Sequence, residues 1–246
     1  MTAPDVADVA DGLPRVPATA LAGSDAVEAV SASLASFGCC VLTQAADACP
    51  AWPVLLAAAA QVQALEPAMR YAMWRGHHDG WRGYAPSTAA ADQIAAAVDV
   101  DPDFLTTAAS RRFSAFEVGP LWPTAAGCPS GGVIDSTQPW PDHPSFAGDV
   151  SEALEEAVRF GTDLLRRVLD RHQPGPGAPA LTFDAPCSSL RLLRYDPEPP
   201  GGEHLDYELL TMVASDAPGL EVQDTEGRWR RPAVGPGDLV LMAGDL

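Results

Sequence analysis

The hydrophobic periods of this chain predict an α+β fold, with helices through the first two-thirds and short strands through the last third. Three observations carry that expectation. Apolar residues recur at 3, 4 and 7 spacing over residues 150–169, the signature of one long amphipathic helix. Five short stretches at residues 189–195, 208–214, 220–223, 228–234 and 238–243 then read as strands. The period changes across a Pro/Gly connector at residues 173–180. Regular short strands punctuated by Gly and Pro argue a sandwich or jelly roll. A length of 246 residues is enough for one domain with a sizeable core.

Taken in order, residues 1–17 read as a flexible N-terminal arm and residues 18–246 as a single domain, helix-rich over 18–180 and strand-rich over 181–246. Asp25 and Glu28 form a capping pair ahead of Val27, Val30, Leu34 and Phe37, which recur at helical spacing. Gly38 is a helix stop, and residues 39–42 a short buried strand. Residues 53–65 and 88–98 are Ala-rich helices. Between them, residues 77–84 are Gly-punctuated and aromatic, a loop entering a strand. Residues 112–118 alternate as a strand, and residues 119–147, rich in Pro, Gly, Ser and Trp, form a long ordered loop. Asp149 with Glu152 opens the long helix. Turns at 196–197, 216–219, 224–227 and 235–237 separate the five strands.

Composition excludes several chemistries. The net charge is −18, from 33 acidic and 15 basic residues, and every basic residue is Arg. Without Lys there is no Schiff-base Lys, no P-loop Lys and no Ser–Lys pair. The acidic balance argues against nucleic acid and against an anionic membrane surface as partners. The five Cys, at positions 39, 40, 49, 128 and 187, show no C-x-x-C spacing and fit neither a disulfide framework nor a zinc knuckle. They read as buried thiols in a reducing compartment. The first residues lack the basic and apolar regions of a signal peptide, and no apolar run reaches a membrane span. A soluble cytoplasmic protein is expected.

Two H-x-D spacings occur, His77-x-Asp79 and His204-x-Asp206. With 5 His in 246 residues, chance alone supplies about half of one. The first lies in the Gly-rich loop and reads as a solvated or structural pair. The second follows the strand at 189–195 and a Pro/Gly turn, and precedes another strand. On a strand, side chains at i and i+2 leave the same face, so His204 and Asp206 can reach one metal ion. A jelly-roll mouth suits such a site, because a rigid sheet presents ligands into a cavity. A zinc hydrolase using Glu203, His204 and Asp206 fits less well, since adjacent strand residues point to opposite faces. No G-x-S-x-G, H-E-x-x-H, P-loop or dinucleotide-binding glycine motif is present.

Around the second pair the chain runs Leu190-Arg-x-x-Arg-Tyr195-x-Pro197, then His204-x-Asp206 through Leu210 and Thr211, then Gly219-Leu220-x-Val222 to Gly227 and Trp229, then Gly244-Asp245. This series resembles the C-terminal half of the isopenicillin N synthase-like family of Fe(II)/2-oxoglutarate-dependent oxygenases. More loosely, Phe37 to Val41, Gly83-Tyr84, and Leu121-Trp122-Pro123 or Trp140-Pro141 resemble motifs of its N-terminal part. The resemblance implies a double-stranded β-helix (jelly roll) core with N-terminal and flanking α-helices. It implies Fe(II) held by His204, Asp206 and one further His, with 2-oxoglutarate and O₂ as cosubstrates. Tyr195 would lie near the cosubstrate, or serve as an inward strand aromatic. Arg191 and Arg194 read as paired surface or rim charges. The implied activity is oxidation of a small molecule, with 2-oxoglutarate decarboxylated to succinate.

The family's second His and its Arg-x-Ser come after the Gly-Asp. The expectation is therefore a fragment of a longer protein with the closing strands missing, ahead of a truncated relic or a barrel completed by a partner. The alternative function is a non-catalytic jelly-roll binding or interaction module with an incomplete metal site.

Overall fold

Caps and turns, all local signals, set where the elements begin and end. The structure is a computed structural model that describes residues 12–76, 82–109, 111–119, 138–171, 188–196 and 202–244. The elements are β1 (Arg15–Pro17), α1 (Ser24–Phe37), β2 (Cys39–Thr43), α2 (Ala45–Ala48), α3 (Ala51–Ala64), α4 (Pro67–Ala72), β3 (Gly83–Ala85), α5 (Thr88–Ala95) and α6 (Pro102–Ala108). They continue with β4 (Phe113–Val118), α7 (Phe146–Leu169), β5 (Leu190–Tyr195), β6 (Leu210–Val213), β7 (Val222–Gln223), β8 (Trp229–Arg230) and β9 (Leu239–Ala243).

The chain divides into two compact units where the sequence suggested one domain. The first draws on Met1–Pro53, Arg159–Ala180 and His204–Leu246, the second on Val54–Val158 and Leu181–Glu203. Both therefore mix early and late chain, which periodicity along the sequence does not reveal.

The first unit holds a four-stranded sheet in the order β1-β2-β9-β6. β1 runs parallel to β2, while β9 pairs antiparallel with both β2 and β6. Cys39, Cys40, Val41 and Leu42 are all buried, as expected of a central strand whose residues are apolar on both faces. Leu13, Cys39, Val222 and Val240 form a core cluster, with Phe37, Val213 and Met242 packed against it. The arm expected over residues 1–17 ends earlier than the composition suggested. Leu13 and Val16 are buried, and Val41 N–H donates to Pro14 O at 3.1 Å, so this stretch joins the sheet. Residues 1–11 lie outside the described ones.

Helix α1 starts one residue before Asp25, on Gly23, with no side-chain cap, so the Asp25/Glu28 capping pair does not form. Asp25 instead places its charge in the first turn, where the helix dipole favours it. Gly38 closes the helix at φ +71° and donates its N–H to Leu34 O, a left-handed cap that a side chain would oppose. Gly161 in α7 lets the helix pass close to the sheet: a Cβ there would meet Met212 Cε at 2.6 Å.

The second unit holds the antiparallel sheet β3-β4-β5. Ser87 caps α5 by accepting from Ala90 N–H at 3.2 Å. Two short helices, α4 and α6, escape the hydrophobic period because each is shorter than two turns. Both carry Pro at the first turn, and Asp101 caps α6 by accepting from Asp103 N–H at 2.8 Å. Tyr71, Trp74 and Phe104 form one aromatic cluster, and Phe116, Trp140 and Phe146 another. Within the loop expected over 119–147, α7 already begins at Phe146 and residues 120–137 lie outside the described ones.

The late strands appear at the expected places but shorter. β7 stops at Gln223 because Asp224 begins a turn, and β8 stops at Arg230, two residues before Pro232, which has no N–H for a ladder.

Candidate metal centre

His204 and Asp206 belong to the first unit, on residues 204–207. This segment makes no strand ladder. Pairing begins only at Leu210, opposite Ala243 of β9. The two side chains nevertheless converge: His204 Nε2 lies 3.4 Å from Asp206 Oδ1. The imidazole is 71% exposed and the carboxylate 22%. Leu205 and Tyr207, which alternate with them, are also exposed.

Gly244 bears on how this segment is held. Its N–H faces Leu209 O at 3.4 Å, and a Cβ on it would overlap Glu208 O and fall 2.6 Å from Glu208 C. Only a glycine allows the end of β9 to approach the backbone that follows Asp206 so closely. The sequence signal was present as a Gly-Asp after an apolar strand, but the contact it permits was not legible.

The donor set suits an octahedral cation. Ligand bonds of about 2.1 Å at right angles put neighbouring donor atoms about 3 Å apart, which a small side-chain movement reaches from 3.4 Å. Among the described residues no group of three or more His, Cys, Asp or Glu gathers into a metal-sized cluster. This leaves the Glu203-assisted zinc arrangement without support among them. His77, His78, Asp79 and His172 lie outside the described residues, and His143 belongs to the second unit.

Tyr195 ends β5 in the second unit, 53% exposed, with its ring 5.4 Å from that of Phe113. On the same strand Arg191 is a paired charge, as its sequence context suggested. Its Nε and Nη2 donate to Glu117 Oε1 at 3.2 and 2.9 Å.

Asp224, a turn residue by its sequence context, is the most heavily bonded carboxylate among the described residues of the first unit. Oδ1 accepts from the N–H groups of Glu226 and Arg228 at 3.0 and 2.9 Å, and Oδ2 from Nε of Arg228 and Arg230 at 3.1 and 3.0 Å. Burial pushes its carboxyl upward, but these hydrogen bonds outweigh burial and hold it well below the usual carboxylate range. Asp224 is structural: it closes the β7–β8 hairpin. Burial also pushes the Cys39 and Cys40 thiols up to about 11, with the Cys40 and Asp224 charges adding to the shift at Cys39.

No family model and no curated protein sequence matches the chain. Solved structures do. A Caulobacter crescentus protein assigned to the 2OG-Fe(II) oxygenase family is 23% identical, over 96% of this chain and 74% of its own, with a TM-score of 0.66. A Neurospora crassa protein in complex with alpha-KG and 5-formyluracil is 16% identical, over 100% and 76%, with a TM-score of 0.67. The dioxygenase for auxin oxidation 1 of Arabidopsis thaliana, bound to 2-oxoglutarate, is 14% identical, over 95% and 80%, with a TM-score of 0.61. At these identities the likeness is one of fold: this chain has the mixed helix-and-sheet fold of such oxygenases. No helix of the described residues is long and apolar enough to cross a membrane.

Proposed function

We propose that this chain is a non-haem Fe(II)/2-oxoglutarate-dependent oxygenase of the isopenicillin N synthase-like kind, acting on a small molecule. His204 Nε2 and Asp206 Oδ1 would be two of its protein ligands to iron, and its sheets would belong to a jelly-roll core. The observation that carries the reading is the convergence of one imidazole and one carboxylate within 3.4 Å, just before a strand, on a fold shared with structures that hold 2-oxoglutarate. Fe(II) bound with 2-oxoglutarate would activate O₂, the oxidant: one oxygen atom would end in succinate as 2-oxoglutarate loses CO₂, and the other would oxidise the substrate.

The chain's own residues orient and shield. Asp206, at 22% exposure, brings a carboxylate that a cation would compensate, while the exposed His204 imidazole holds Nε2 beside it. Tyr195 is our candidate for a group near the cosubstrate. The Neurospora crassa structures contain thymine or 5-formyluracil, which is consistent with a small, planar substrate class here. The buried free thiols of Cys39, Cys40 and Cys49 favour a cytoplasmic location.

The test is an anaerobic Fe(II) titration of the wild type, His204→Ala and Asp206→Ala. Each variant is expected to lose at least tenfold in affinity; equal binding by all three removes the reading. The alternative, a non-catalytic binding module, is not favoured by the likeness to structures of 2OG-Fe(II) oxygenases. It predicts no succinate from 2-oxoglutarate even when Fe(II) is bound.

A further inference from the structure

We propose that Arg111, backed by Phe113 and Tyr195, is a binding site for a carboxylate carried on a planar apolar molecule. The site lies wholly in the second unit. The β4–β5 register sets Phe113 opposite Tyr195 and Glu117 opposite Arg191. Residues two apart on a strand share a face, so these four side chains stand together on one side of the sheet. Arg111, two residues before β4, places its guanidinium carbon 5.2 Å from the centre of the Phe113 ring, and Arg191 does so at 5.7 Å. The Tyr195 ring approaches the same ring at 5.4 Å.

The two cations differ in how they are satisfied. Arg191 gives Nε and Nη2 to the buried Glu117 carboxylate. The Arg111 side chain makes no hydrogen bond or ion pair with any described residue, and its buried Nε has no acceptor. Burial lowers its pKa, Glu117 opposes that shift, and Arg191 adds to it. An arginine stays charged in proteins, so this is a partly desolvated cation whose Nε–H is unmet. Glu117 bonds only one of the two guanidiniums, that of Arg191, in a chain whose net charge is −18. A carboxylate is the natural complement, because its two oxygens match the planar fork of a guanidinium. Phe113 holds that fork in place, and the half-exposed Tyr195 ring offers an apolar wall beside it.

The carboxylate could belong to a substrate or to a dicarboxylate such as 2-oxoglutarate, and one experiment separates these sources. Metal-free full-length chain is titrated calorimetrically with phenylacetate and with its neutral isostere phenylacetamide. Phenylacetate is expected to bind at least tenfold more tightly. Arg111→Gln, checked for folding by circular dichroism, is expected to erase that preference, and Arg111→Lys to retain part of it. Displacement of phenylacetate by 2-oxoglutarate or succinate assigns the site to a dicarboxylate. Lack of displacement assigns it to a substrate carboxylate. Equal binding of acid and amide by the wild type overturns the proposal, even if no variant folds. So does undiminished phenylacetate binding by Arg111→Gln, or no binding of phenylacetate, succinate or 2-oxoglutarate. Because no metal is present, failure here is separate from failure of the iron titration.

Discussion

Gly244→Ala is the sharpest test of how the His204–Asp206 segment is held. The added Cβ would overlap Glu208 O and sit 2.6 Å from Glu208 C. Both are backbone atoms, so no rotamer relieves the overlap; the end of β9 and the segment after Asp206 must separate. The weak Gly244 N–H to Leu209 O contact at 3.4 Å goes with it. Overpacking of this kind costs about 1–3 kcal/mol, and a lost backbone hydrogen bond about 1 kcal/mol more. A total of about 3 kcal/mol lowers the melting temperature of a chain this size by roughly 6–12 °C. Gly148→Ala is the internal control. It places the same methyl in helix α7, where nothing lies within 4 Å, and should stabilise by about 0.5 kcal/mol through helix propensity. Both are measured by urea denaturation with the slope m checked for constancy. If Gly244→Ala matches or exceeds wild-type stability, the close approach of β9 to Glu208 is wrong, and so is the argument that it positions the metal-binding pair.

Two other outcomes follow from the first unit. Asp224 has a folded pKa depressed below its unfolded value near 4, so its contribution is fully present above about pH 4 and lost as pH falls through the folded value. Asp224→Asn should therefore lower stability most at neutral pH, and the gap to wild type should narrow below about pH 4; a gap constant from pH 7 to pH 3 contradicts the assignment. Cys39 and Cys40, with thiols near pKa 11, should resist iodoacetamide at pH 8 in the native protein and react in urea, read by peptide mass spectrometry. Rapid native labelling of either would place it outside the core.

Much of the secondary structure was legible because its causes are local. The apolar stripe of α7, the Gly38 cap of α1, the buried run of β2 and the centres of β5 to β9 are each written within a few residues. The His204-x-Asp206 spacing was legible in the same way, since any extended backbone brings i and i+2 to one side. Helices α4 and α6, of 6 and 7 residues, were not, because less than two turns carries no measurable period.

What the sequence by itself determined, then, was the order of the longer elements, the Gly38 cap of α1 and the spacing of the candidate metal donors. Only the tertiary structure decided that Asp224 would gather Arg228 and Arg230, and that Gly244 would lie against Glu208. It also decided that Arg111 and Tyr195, far apart in sequence, would meet around Phe113. The physical reason is the range of the forces involved. Helix caps and side-chain alternation depend on neighbours along the chain, whereas strand register, backbone approach and the loss of water around a guanidinium depend on which distant segments fold against them.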